Sequence, residues 1–263
     1  MEKLEHPLWI VQAANAVFGP LVRALLAAIG RPQAEGGDVI PNYMVMGVLI
    51  VLVWTILALI LRRNLSVENP GRLQIIFEDG IGMVKSLLHD YIGHKGERYL
   101  PLVFTMFVFI LTANLMGLVP GLMAPTSSID VTLGCAITVW VYYHAQGIKE
   151  QGVVKYFKHF AMPPGAPVFL APLMLIIELI SHFSRVMSLS LRLFGNIFGE
   201  ELVILILFSI IPFIVPLPMM FLGIITASLQ AFIFVLLTMI YLGGAVATEH
   251  ERHEHGEMAA GEA

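Results

Sequence analysis

From Pro172 to Ile211 the chain reads PLMLIIELISHFSRVMSLSLRLFGNIFGEELVILILFSII, and after the first residue no proline interrupts it. A helix is free to run the whole length, about 60 Å at 1.5 Å per residue. That is twice the roughly 30 Å of a bilayer's hydrocarbon. Such a helix either breaks near Gly195 or crosses at a tilt beyond the usual range of about 0–40°. The missing prolines favour one inclined helix. Within this apolar run stand Glu178, His182, Arg185, Arg192, Asn196, Glu200 and Glu201. At 3.6 residues per turn Glu178, His182, Arg185 and Arg192 share a sector of roughly 80°, and Asn196 continues the same stripe. Glu201 lies about 180° from Arg192 and about 13 Å further along, whereas Glu200 is only about 80° away.

An arginine at the centre of a bilayer costs on the order of 3 kcal/mol even on insertion scales, so such residues mark ion pathways unless they snorkel or pair structurally. A guanidinium keeps its charge there, where an ammonium can lose its proton. Glu178 is either a proton-relay group or a partner for Arg185. Glu201 has no partner on its own helix and points to a separate, hydrated cavity, with Glu200 the lesser candidate for that role. His182 either titrates in a water path or sits as a hydrogen-bonded core histidine. Gln230 is a lone amide in the last apolar run, a residue type that glues helices together in lipid.

Composition places the whole chain in the membrane. Apolar residues make up 57% of its 263 and charged residues 13%, and the mean hydropathy is +0.82, against about a quarter charged in soluble domains. The net charge of -4 and the absence of a basic patch give no reason to expect nucleic acid. A single cysteine, Cys135, excludes an internal disulfide and a multi-cysteine metal site. His250, His253 and His255 resemble a metal cluster by composition only, and no metal, cofactor or catalytic residue is expected. Leu8–Val11 is too short an apolar run for a signal peptide, and Glu2 and Glu5 spoil the positive n-region.

Tyr43–Leu61 is the first span, stopped by Arg62-Arg63; Leu100–Met123 is the second and Val131–Ile148 the third, with Tyr142, Tyr143 and His144 as polar interruptions. The inclined helix and Met219–Val246 complete five crossings. Lys and Arg fill residues 62–99 and 149–158 but are absent from 119–130 and 212–218, so the first two stretches are cytoplasmic. Leu73, Ile76, Phe77, Ile81, Val84, Leu87, Leu88 and Tyr91 recur at helical spacing, which predicts an amphipathic helix either on the cytoplasmic interface or against another protein surface.

Several of these residues carry a family resemblance. Ser188-Leu-Ser-Leu-Arg-Leu-Phe-Gly-Asn196, Glu201, the glutamate fourteen residues before Arg192, Leu229-Gln-Ala-Phe-Ile-Phe234, Tyr241-Leu242, Asn114–Pro120 and Pro125–Thr132 resemble subunit a of the F-type ATP synthase. The resemblance implies an all-α polytopic bacterial inner-membrane protein with about five membrane-crossing helices, two of them long and steeply inclined, plus one cytoplasmic interfacial helix. Its organisation would be a periplasmic segment 1–42, a first helix 43–61, a cytoplasmic loop 62–99, a hairpin 100–148, a cytoplasmic loop 149–166, an inclined pair 167–247 and a cytoplasmic tail 248–263.

The same resemblance implies a non-catalytic stator working with the subunit c ring, the subunit b stalk and the other synthase subunits. Arg192 would face the ring and separate two aqueous half-channels. Glu201 and Asn196 would line the periplasmic one, Glu178 would belong to the access set, and Gln230 would lie beside Arg192. His182, Arg185, His144 and Glu200 are further channel-lining candidates. One departure stands out: where some members carry a histidine or acid seven residues before the glutamine, this chain has Gly223, so the companion of Glu201 is sought in His182 or His144. The rival reading is a secondary transporter, which predicts an inverted repeat that the sequence does not display.

Overall fold

The computed structural model describes residues 9–28, 39–119, 121–156, 171–210, 214 and 216–246. The N-terminal eight residues, the basic loop beyond 156 and the tail with its three histidines lie outside the described residues. Seven α-helices occur among the described residues: α1 Trp9–Ala28, α2 Asn42–Arg63, α3 Arg72–Ile92, α4 Leu100–Met116, α5 Ile129–Gln151, α6 Ala171–Ile210 and α7 Pro216–Val246. Two short 3-10 turns, His94–Tyr99 and Pro125–Ser127, complete the order. The fold is all-α.

The deciding stretch is one helix. Through Gly195 and Gly199 the 40 residues of α6 run without a break, because a helical glycine costs only about 1 kcal/mol relative to alanine and removes no hydrogen bond. Its outward side chains are apolar: Leu179 and Phe183, like Phe221 of α7, are each 68% exposed. Surfaces of this kind are stable against lipid or an apolar partner. α7 starts at Pro216, earlier than expected, since proline in a first helical turn forfeits no intrahelical bond.

Two spans differ from the sequence reading. α4 stops at Met116 rather than Met123, and single turns such as Leu118 N–H to Leu115 O (3.2 Å) and Leu122 N–H to Val119 O (3.0 Å) carry the chain onward. Pro120 has no amide to continue a ladder and Gly121 takes a positive φ of 89°. The five described helices that are long and apolar enough to cross a membrane include Trp9–Ala28 and leave out Ile129–Gln151. α5 has the length, but Thr132, Thr138, Tyr142, Tyr143, His144 and Gln146 dilute its apolar character.

The chain divides into two compact units, the first made of residues 1–74, 108–131 and 193–231, the second of 75–107, 132–192 and 232–263. In the first, Met46 and Ile50 of α2 are buried with Leu193, Ile197 and Ala227. The Trp54 indole donates to Thr112 Oγ1 at 2.9 Å. Asn15, in the first third of α1, accepts from the Val39 and Ile40 amides at 3.1 and 2.9 Å and donates to the Ile40 carbonyl at 3.1 Å. That ties the first third of α1 to the residues just before α2.

In the second unit α3 turns Phe77, Ile81, Val84 and Leu88 inward, with Val84 and Leu88 fully buried, while Leu73, Ile76 and Tyr91 stay exposed. The amphipathic helix therefore serves its own chain as well as an outer surface. Arg98 pairs with Glu150 at 2.8 Å, and Lys85 with Glu97 at 3.1 Å. Gln151 donates to the Ala245 carbonyl at 2.8 Å, fixing the end of α5 to α7.

Candidate functional site

Residues of the polar stripe on α6 divide between the two units, and each half has its own partners. In the first unit Leu193 and Ile197 are buried, so the helix face that carries Asn196 is set at the edge of that core. Asn196 Nδ2 donates to Gln230 Oε1 at 2.8 Å. Gln230 is only 3% exposed, and its Nε2 has no hydrogen-bond acceptor among the described residues. An amide with a donor held free inside apolar surroundings stores a vacant hydrogen-bonding position. The sequence predicted a helix-gluing amide at Gln230, and Asn196 is what it holds.

Glu201 Oε1 accepts the Ala124 amide hydrogen bond at 3.0 Å. The carboxylate is half-buried against the turn that follows α4, on the side of α6 that helical geometry sets opposite Arg192. Glu200 Oε2 accepts from Thr226 Oγ1 at 2.8 Å. Gly223 explains its seat: a β-carbon there would overlap the Glu200 carboxylate and lie 2.7 Å from Leu118 Cδ2. The space vacated at Gly223 thus belongs to Glu200, rather than to a companion of Glu201. Behind both acids lies a buried pair, Thr126 Oγ1 donating to Asn114 Oδ1 at 2.7 Å while Asn114 Nδ2 donates to the Ala227 carbonyl at 3.3 Å.

In the second unit His182 is nearly fully buried between Glu178 and Tyr143. Its Nε2 lies 3.1 Å from Glu178 Oε1 and its Nδ1 2.8 Å from the Tyr143 hydroxyl. His144 lies beside it, ring centroids 4.7 Å apart, with Nδ1 2.7 Å from the Tyr156 hydroxyl. Arg185 is stacked over the Tyr241 ring at 5.3 Å, so it does not form the pair with Glu178 that the sequence allowed. His182 and His144 thus meet Glu178, Tyr143 and Tyr156 within the second unit. Arg192 is exposed and, among the described residues, forms no ion pair.

Sequence reasoning missed Tyr143, Tyr156, Thr226 and the Ala124 amide as site residues. Tyr143 had a visible signal, a phenol in a membrane helix; the Ala124 amide had none, since every residue has one.

The family profile described as ATP synthase A chain matches residues 43–243. The chain belongs to that family. It is 47% identical over 206 residues to the ATP synthase subunit a of Geotalea uraniireducens, covering 76% of this chain and 88% of the relative. The subunit a of Geotalea daltonii is 43% identical over 234 residues, 89% of this chain and 98% of the relative. The subunit a of Koribacter versatilis is 37% identical over 248 residues, with coverage of 94% and 100%. The match begins at Tyr43, one residue into α2, and spans the polar residues of α5, α6 and α7 described above. As members of the family are, the chain is a multi-pass membrane protein, and its match is to a membrane-sector component.

Proposed function

We propose that this chain is the proton-conducting stator of an F-type ATP synthase, with Arg192 as the charge around which it works. The observation that carries the reading is an exposed, unpaired arginine on an unbroken helix of 40 residues, in a chain of this family. A cation in apolar surroundings with no partner of its own is stable only if another chain brings the counter-charge. The subunit c ring supplies it: a ring carboxylate arrives deprotonated, pairs with Arg192, and is released as the next site approaches. α6 and α7 lie inclined along that ring. Glu201 and Asn196 line the periplasmic half-channel, Gln230 supports Asn196, and Glu178 belongs to the cytoplasmic access path. The ring and the other synthase subunits, including the subunit b stalk, carry the remaining work, and the chain contributes no catalytic group.

Orientation follows from charge. Arg62 and Arg63 close α2 on the cytoplasmic side, and the basic residues after them hold α3 there. This does not depend on whether α1 crosses. Asn15 lies about 9 Å into α1 yet binds residues 39–40, just before the outer end of α2. Asn15 thereby ties the first third of α1 to the outer end of α2, which supports placing segment 1–42 on the periplasmic side. Cysteine at position 85 is expected to react with an impermeant reagent only in inverted vesicles; reaction in intact cells would overturn this placement.

Purification from detergent extract tests the function itself. The chain is expected to co-purify with a ring-forming, two-helix proteolipid. Recovery alone, as a particle that transports unaided, would favour the secondary transporter.

A further inference from the structure

We propose that His182 and Glu178 form a proton-loading pair, with Tyr143 holding the imidazole in the tautomer that loads; this rests on the reading of Glu178 as an access group. The geometry supplies the parts. Glu178 is 39% exposed in its side chain while His182 is 8% exposed, so one member reaches the surface of the chain and the other is shielded. Their contact of 3.1 Å becomes a charge-assisted hydrogen bond once a proton lies between Nε2 and the carboxylate. When Nδ1–H donates to the Tyr143 oxygen, 2.8 Å away, the Nε2 lone pair is left facing Glu178.

The transfers then balance and the ring returns to its starting form. In loading, a hydronium protonates the Glu178 carboxylate and leaves as water; that O–H bond then breaks as an N–H bond forms at Nε2, 3.1 Å away, and an imidazolium stands beside a carboxylate. In unloading, that N–H bond breaks and an O–H bond forms on Glu178, from which the proton moves on toward the ring. Nδ1–H and Tyr143 do not change. In the pumping direction the steps reverse.

The imidazole gives the path a second proton acceptor beside the carboxylate, shielded where the carboxylate is not. Release is assisted by the neighbours. Arg185 from the same helix and His144 from α5 both oppose a second positive charge, while Glu178 favours it. The remaining groups facing the pair, Tyr143, Tyr156 and Tyr241, are phenols. Tyr156 closes the far side: its ring rests on Gly147, where a β-carbon would come within 2.5 Å of it, and burial pushes its hydroxyl up to about 12, so it stays protonated beside His144 Nδ1.

The test is passive proton flux through the membrane sector, in inverted vesicles stripped of the catalytic head, across about pH 5 to 8. His182→Ala is expected to slow flux at neutral pH by at least about tenfold, and added free imidazole to restore most of it by entering the space left beside Glu178. Flux at the unsubstituted level, or a loss that imidazole leaves untouched in an assembled sector, would overturn the pair. Should His182→Ala not assemble, Tyr143→Phe carries the test, because it keeps the ring and removes only the hydroxyl: a displaced pH midpoint supports the assignment and an unchanged profile overturns it. Glu178→Gln separates this from the underlying reading. If it conducts normally, the access role of Glu178 has itself failed. If it loses flux while His182→Ala conducts normally, only the loading pair has.

Discussion

Arg192→Ala is expected to abolish both ATP synthesis and ATP-driven pumping while leaving the membrane sector leaky to protons. The two effects have one cause. A unit cation about 4 Å from a carboxylate attracts it by roughly 4 kcal/mol at an effective dielectric of 20, enough to hold an arriving ring site deprotonated. The same charge repels a proton hopping between the half-channels. With alanine there, ring sites pass between the channels still protonated, so protons move without turning work into synthesis. Arg192→Lys is expected to lower synthesis at least about tenfold as well, because a desolvated ammonium sheds its proton and lacks the planar fork. Synthesis in head-bearing vesicles and passive flux in head-stripped ones measure both halves. Normal synthesis by the alanine variant would return Arg192 to an ordinary structural charge.

Glu201→Gln is expected to slow proton flux by about tenfold or more with the complex still assembled. Glutamine keeps an oxygen to accept the 3.0 Å bond from the Ala124 amide, so the turn after α4 keeps its anchor, and only the titrating group is lost. Glu200→Gln likewise keeps an acceptor for Thr226 and is expected to have the smaller effect. Flux through head-stripped vesicles decides between them. A silent Glu201→Gln beside a slowed Glu200→Gln would move the role to Glu200, whose carboxylate occupies the space that Gly223 leaves open.

Much of the fold was legible because lipid imposes simple rules on a sequence. Each span must satisfy its backbone internally, so apolar length reads directly as helix, and the 40 residues without proline read as one rod. Errors fell where local chemistry competes with apolarity. Leu118 and Val119 are apolar enough to extend α4, but it stops at Met116, and Gly121 takes a positive φ that no helix continues. α1, as apolar as a crossing helix, was not read as an element, and Asn15 ties its first third to residues 39–40. That bond joins residues far apart in sequence, and no periodicity encodes it.

The sequence by itself determined six of the seven described helices and the identity of the charges on α6, because helical period and length are local properties. Helical geometry also set Arg192 and Glu201 on opposite faces of one rod. Partnership was decided only by tertiary structure. Glu178 might have paired with Arg185 on spacing alone, yet packing of α5 placed Tyr143 beside His182 and left the imidazole to Glu178. Glu200 and Glu201, adjacent in sequence, were separated by what the other helices bring: the Thr226 hydroxyl and a glycine's vacant space for one, a backbone amide for the other. Contacts of this kind depend on distances between remote segments, which packing sets and sequence spacing cannot.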